Sequence, residues 1–373
     1  MKLFSEWITR FSDKELQAPF VVSTDLEYYN DLRKRLTHFV NQLEKASADD
    51  ESIRIARKYS DRVCEAIRKY YKGEIGSCHQ KIENLVKGCD NHILAIADLK
   101  HSRAFLGANG SEIQFFRART INEAKRLKLT DMLHQPFNLR ANSGSYRFSI
   151  PGVISLYLSN TSYGCWIEMG KPSEHDFYVS PIVLDGSQRI FNLAVMTRLQ
   201  NYLNDWEESF VHCWIKLLVL MIASSYKVEE KGRSFHSEYI VSQAIMLACK
   251  KLGYDGVAYY SKQADEEMFS LVAVNLALFT DFEKDKKFGK ICKHIKIDEP
   301  LNYQLFRQLN SVAIHRRYTL RVDQFRSFTS INGYKRQYKY NETEFYRLDE
   351  HLFGRWDDKE TLEWGHVLKD PES

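Results

Sequence analysis

The chain has 373 residues, of which 44% are hydrophobic and 27% charged, ordinary globular usage and enough for more than one domain at about 100–200 residues each. Its 53 basic and 49 acidic residues leave a net charge of +4. That balance rules out neither nucleic acid nor anionic substrates and argues strongly for neither. The seven cysteines form no CxxC pair and no metal-ligand spacing, so they read as reduced thiols of a cytoplasmic protein with no metal site. The N-terminus is charged too early for a secretory signal. The most apolar run, Val211–Ala223, is interrupted by His212 and Lys216 and is shorter than the ~20 residues a membrane span needs. It reads as a buried helix, with no membrane partner.

Taken in order, residues 23–105 read as helical. Thr24 and Glu27 have capping-box spacing. Tyr29, Leu32, Leu36, Phe39, Val40 and Leu43 then recur on one helical face. A second helix fits Ser52–Lys72, with Ile55, Tyr59, Val63, Ile67 and Tyr70 inward and Gly73 as its stop. Shorter helices are expected over Ile82–Val86 and Ile93–Leu99. A Gly/Asn-rich stretch, Phe105–Gly110, reads as a linker. Short β-type runs follow at Ile113–Ala118, Ser155–Leu158, Phe177–Val183, Ile190–Leu193, Gly256–Tyr260 and Leu271–Phe279, with helices between them at Tyr202–Tyr226 and Ser237–Leu252. Beyond Thr280 the chain is basic and irregular, with helical segments at Leu301–Ala313 and Glu342–Leu352. This texture gives an all-helical N-terminal domain (1–105), an α+β domain (106–280) and a partly helical C-terminal extension (281–373).

No Walker loop, GxGxxG, HExxH or GxSxG occurs. Four ordered segments, however, resemble RES-family domains. Phe115-Phe-Arg-Ala-Arg119 is similar to that family's opening aromatic-Arg strand. Arg147-Phe-Ser-Ile-Pro-Gly-Val-Ile-Ser-Leu-Tyr-Leu158 resembles its Arg-Phe-Asn-x-Pro-Gly-x-x-x-Leu-Tyr-Leu signature, and Glu168 stands ten residues further on, where the family carries its glutamate. Gly256-Val-Ala-Tyr-Tyr-Ser261 and Val274-Asn-Leu-Ala-Leu-Phe279 resemble the Gly-x-x-Tyr-x-Ser and Asn-Leu-Ala-Leu-Phe elements. Two departures stand out: Gly164-Cys165 replaces a usual Thr-Ala, and Tyr260 replaces a common proline.

The resemblance covers less than half the chain. It implies an ADP-ribosyltransferase-like mixed β core with helices, and a toxin of the toxin–antitoxin kind that takes NAD⁺ as substrate, not as cofactor. Water or phosphate would attack the ribose. Possible partners are then phosphate, an antitoxin protein and a second copy joined through the helical domain.

Nicotinamide leaves as a neutral ring and needs no general acid. The oxocarbenium-like ribose left behind needs a carboxylate, the role that falls to Glu168. A guanidinium fork suits the pyrophosphate, which assigns Arg117, with Arg119 and Arg147 assisting. A tyrosine face suits the cationic nicotinamide, which assigns Tyr157. Ser261 would hydrogen-bond the ribose or orient Glu168. Rival readings are transfer of ADP-ribose to a protein, a catalytically dead interaction module, and a HEPN-like ribonuclease. The last rests on the Arg-x₄-His spacing of Arg33 and His38, five residues apart and therefore off a common helical stripe.

Overall fold

The computed structural model describes residues 13–102, 104–105, 113–121, 127–195, 207–229, 232–263, 271–312, 330–332, 337–354 and 366–367. Among the described residues a 3-10 turn (Lys14–Leu16) comes first, followed by strand β1 (Phe20–Val21) and helices α1 (Asp25–Lys45), α2 (Asp50–Tyr71) and α3 (Ile75–Lys87). Then come β2 (Ile113–Thr120), β3 (Ser155–Ser159), α4 (Ser162–Glu168), β4 (Phe177–Leu184) and β5 (Ile190–Asn192). Helix α5 (Glu208–Ser224), β6 (Tyr226–Lys227), α6 (Ile240–Lys251), β7 (Gly256–Tyr260) and β8 (Val274–Phe279) complete the region of family resemblance. The last part holds β9 (Ile295–Ile297), β10 (Leu301–Asn302), α7 (Tyr303–Val312), β11 (Ser330–Asn332), β12 (Gln337–Lys339), α8 (Glu344–Gly354) and β13 (His366–Val367).

The fold is α+β. Nine strands form one sheet in the order β13-β9-β4-β2-β3-β8-β7-β5, with β10 added beside β4. Its ladders are antiparallel except for the parallel pair β5/β7. Strand β1 instead pairs in parallel with β6, Phe20 opposite Tyr226.

The helices that open the chain do not keep a core to themselves. Leu32, Leu36 and Phe39 of α1, Ile55 and Val63 of α2 and Ile82 of α3 lie in one apolar cluster with Trp214 and Leu218 of α5, Ile245 of α6 and Tyr259 of β7. A domain has its own core, so 1–105 is a change of texture within a shared one. A second cluster covers the other face of the sheet, and a third seats α7 and α8 against β2 and β4 through Phe116, Phe177, Tyr303 and Leu352.

Local chemistry explains the element ends. Asp49 caps α2 by accepting from Ser52 N at 2.8 Å, and Gly73 follows the helix with φ +78°, a value glycine adopts without strain. At α1 the capping box is only half made. Thr24 makes no side-chain cap, while Glu27 reaches back to Ser23 N at 3.2 Å. The buried tyrosine of α1 is Tyr28, whose hydroxyl donates to Ala223 O at 2.9 Å, and Tyr29 is only half-buried. The expected helix over Ile93–Leu99 shrinks to a single turn, Ile93–Ala95. Residues 106–110 of the expected linker and 202–206 of the expected helix lie outside the described residues.

Candidate active site

A cavity of ≈ 550 Å³ opens where β2, β3, β7 and β8 approach α4 and the turn before α6, a size ordinary for a small-molecule site. Arg117, Arg119, Arg147, Tyr157 and Glu168 all line it. These five sequence-predicted residues therefore converge from positions as much as 51 residues apart (168 − 117).

The cations are held in an unusual way. Strands β2 and β3 share a single register pair, Phe116 opposite Ser159. There Arg117 Nη1 donates to Tyr157 O at 2.8 Å. Arg119, two residues on in a regular strand, points the same way and donates to Asp131 O at 2.9 Å and Leu133 O at 3.3 Å. Arg147 donates to Tyr260 O at 2.9 Å and lies 4.6 Å above the Tyr259 ring. Each guanidinium thus rests on backbone carbonyls, and among the described residues none is paired with a carboxylate. Burial, reinforced by neighbouring Arg119, pulls Arg117 down to about 9. Burial likewise pulls Arg147 down to about 10. Both stay charged at neutral pH, and the Nε atoms of both are buried without a hydrogen-bond partner.

Glu168 ends α4 and is exposed at the cavity rim. Its Oε1 accepts from Asn275 Nδ2 at 2.5 Å. Asn275 sits on β8 in register with both Ser159 of β3 and Tyr259 of β7. Two features fix that helix. Thr161 caps it by accepting from Gly164 N at 2.9 Å, and a Cβ on Gly164 would stand 2.1 Å from Ser159 Oγ. The glycine that departs from the family pattern is thus what lets α4 lie this close to β3. Its neighbour Cys165 is buried and directs its thiol at Phe116 O.

Tyr157 is held in place by its hydroxyl, 2.8 Å from Ser149 Oγ, and by an edge contact with the Tyr146 ring at 6.0 Å. Burial raises its phenol above the ordinary value, so it stays neutral. Ser261 is placed differently. It does not line the cavity, and its hydroxyl accepts from Gln263 N at 3.1 Å. The next residue, Lys262, does line the cavity, with Nζ donating to Tyr226 O. Sequence reasoning passed over Lys262, and it quoted Asn275 within the matched Val274–Phe279 segment without giving it a role in the site.

The ribonuclease pair does not assemble. Arg33 lines a groove between α1 and α2, whereas His38 bonds Asp13 at 2.6 Å. Away from the cavity, His212 Nε2 lies 3.8 Å from Asp49 Oδ1 and 3.7 Å from Glu208 Oε1, but both Asp49 oxygens already accept from Ser52. All seven cysteines are free and buried. No helix among the described residues is long and apolar enough to cross a membrane.

No family model matches the chain. It is similar to the Bacillus subtilis (strain 168) protein named Putative toxin YopC, with 26% identity over 298 residues, 73% of this chain. The match spans 65% of that protein's own length. Among solved structures it is similar to a chain of the M. tuberculosis MbcT–MbcA toxin–antitoxin complex. There the TM-score is 0.31 at 11% identity, covering 62% of this chain and 97% of the other. The likeness is slight.

Proposed function

We propose that the chain is a toxin that cleaves the nicotinamide–ribose bond of NAD⁺, with water or phosphate as acceptor and an antitoxin protein as its natural counterpart. The toxin part rests on the YopC similarity, and the chemistry rests on the cavity. The observation that carries it is the charge arrangement. Among the described residues three guanidiniums line one cavity, each resting on a carbonyl, and Glu168 is the one carboxylate on the lining.

Such a cavity suits a ligand with two negative charges at one end and a cationic leaving group at the other. In this reading Arg117 and Arg147 take the pyrophosphate, and the face of Tyr157 meets the nicotinamide. Glu168, oriented by Asn275, stabilises the positive ribose as the ring departs. Carbonyl contacts are exchanged for charge-assisted ones when the anion enters, so the cations need little rearrangement. Ser261 acts one step removed, through the turn that presents Lys262.

The test is nicotinamide release from NAD⁺ by the purified chain, with and without phosphate, beside Glu168→Gln. Glutamine can still accept from Asn275, so the fold should persist while turnover drops at least about a hundredfold. Near wild-type turnover in the folded variant would refute the assignment. Label from NAD⁺ retained on protein would replace cleavage with ADP-ribosyl transfer.

A further inference from the structure

Lys262 is a lysine only 8% exposed, set in the wall of the cavity. Among the described residues its polar contact is the carbonyl of Tyr226 on β6, and its ammonium lies 5.3 Å from the centre of the Tyr239 ring. The charged groups facing it come from three directions. Arg147 lies before β3, Glu168 ends α4, and Glu238 sits in the turn before α6. Among the described residues none of the three forms an ion pair with it. Arg147 repels it, while Glu168 and Glu238 favour its charge only through space, Glu168 bonding Asn275 and Glu238 bonding Arg233 Nη2 at 2.6 Å. A buried ammonium without a paired anion is costly, and a methionine would fill the same space without that cost. A cation kept there at the expense of stability points to an anion that arrives from outside.

Building on the reading of this cavity as an NAD⁺ site, we propose that Lys262 is a substrate-binding residue whose amine leaves the Tyr226 carbonyl to meet the phosphate oxygens of the dinucleotide. It extends the pattern of the three arginines, since its amine, like each of their guanidiniums, rests on a main-chain carbonyl until an anion replaces it. Burial first, and Arg147 second, hold the empty-state amine well below the ordinary lysine value. An incoming phosphate has the opposite effect and favours the charged amine. The Tyr226 carbonyl belongs to the strand that pairs with β1, and the Tyr226 hydroxyl bonds Asp31 of α1 at 2.7 Å. The resting position of the amine is therefore set by the helices that open the chain.

The experiment is calorimetric titration of the full chain with ADP, which carries the pyrophosphate and lacks the scissile bond, and with adenosine as control. Lys262→Met and Lys262→Gln are compared with wild type, with thermal melts throughout. ADP affinity should fall at least about tenfold in both variants, as expected for loss of one charge-assisted contact, while adenosine is unaffected. KM for NAD⁺ should rise by a similar factor, with kcat changing less than about threefold.

Glutamine can still donate to the Tyr226 carbonyl, so a merely structural lysine predicts normal ADP binding in that variant. That result in folded protein overturns the proposal. Tight, lysine-dependent ADP binding by a protein that releases no nicotinamide would support Lys262 as the anion contact and withdraw the NAD⁺ reading alone.

Discussion

Arg117 and Tyr157 touch each other through the Tyr157 carbonyl, yet the proposed reaction assigns them opposite ends of one dinucleotide. Their substitutions should therefore fail differently. Arg117→Lys keeps the charge and loses the two-pronged fit, so KM should rise more than kcat falls. Tyr157→Phe keeps the ring packed and loses only the bond to Ser149 Oγ, and it should stay folded and substantially active. Tyr157→Ala should lower kcat and also cost about 3 kcal/mol in stability. Steady-state kinetics with melts on the three variants decide this, and full activity in folded Tyr157→Ala would remove the ring from the site. His134 makes a separate, pH-dependent prediction. Its Nε2 accepts from Gly289 N at 2.9 Å and its Nδ1 lies 2.8 Å from Gln135 O, an arrangement for the neutral ring. Burial pulls it down to about 4. The unfolded chain binds the proton more readily, so the stabilisation is complete above the unfolded value near 6.5 and is lost as pH falls towards 4. At most about 3 kcal/mol is involved. Melting temperature should decline across pH 6.5–4 in wild type, and less steeply in His134→Gln.

At the scale of elements, the sequence located most strands and helices, because periodicity and turn residues are local signals. Gly256–Tyr260 is found with the expected bounds. The errors lie where tertiary contact overrides local pattern. Tyr28 is buried in place of Tyr29 because Ala223 O, nearly two hundred residues away, accepts its hydroxyl bond. Thr24 leaves its cap unmade, and Ile93–Leu99 continues after one turn as extended chain that meets Phe191 through a bridge at Ile96. The site residues Arg117, Tyr157 and Glu168 were legible only through the four-segment resemblance, since each alone looks like an ordinary strand or helix residue. Lys262 and Asn275 were not legible, because their importance lies in what faces them across the sheet. The close approach of α4 to β3 can be tested directly. Gly164→Ala puts a methyl 2.1 Å from Ser159 Oγ, so the helix must shift and carry Glu168 away from Asn275. We expect a loss of about 1–3 kcal/mol and a drop in turnover larger than the destabilisation accounts for. Combining it with Ser159→Ala, which removes the clashing oxygen, should restore part of both.

For the molecule as a whole, the helices that precede β2 share one apolar core with α5, α6 and β7. Sequence texture separates them from the α+β part, since helical periodicity stops where β-type runs begin. Packing does not separate them. Trp214, Leu218 and Ile222 of α5 bury themselves against α1 and α2, and Val241 and Ile245 of α6 lie in the same cluster with Ile82 of α3. Polar ties follow the same route, from Asp31 to the Tyr226 hydroxyl and from Lys251 to Glu83 at 2.8 Å. An appended domain could be cut away and leave a folded core. Here, deleting residues 1–92 would strip the covering from two helices and remove the partner strand of β6, whose Tyr226 carbonyl holds Lys262. Large apolar surface opened in this way drives aggregation. The truncated chain should therefore be recovered as aggregate, or as monomer without a cooperative melt, and should consume no NAD⁺. A milder cut tests the same coupling without collapse. Tyr226→Phe keeps the ring against Phe20 and Tyr28, at 5.2 and 4.9 Å, and loses only the bond to Asp31. It should lower the melting temperature by a few degrees and raise KM for NAD⁺ modestly through Lys262. A soluble, cooperatively melting truncation with full activity would show that the cavity is built without the helices at all.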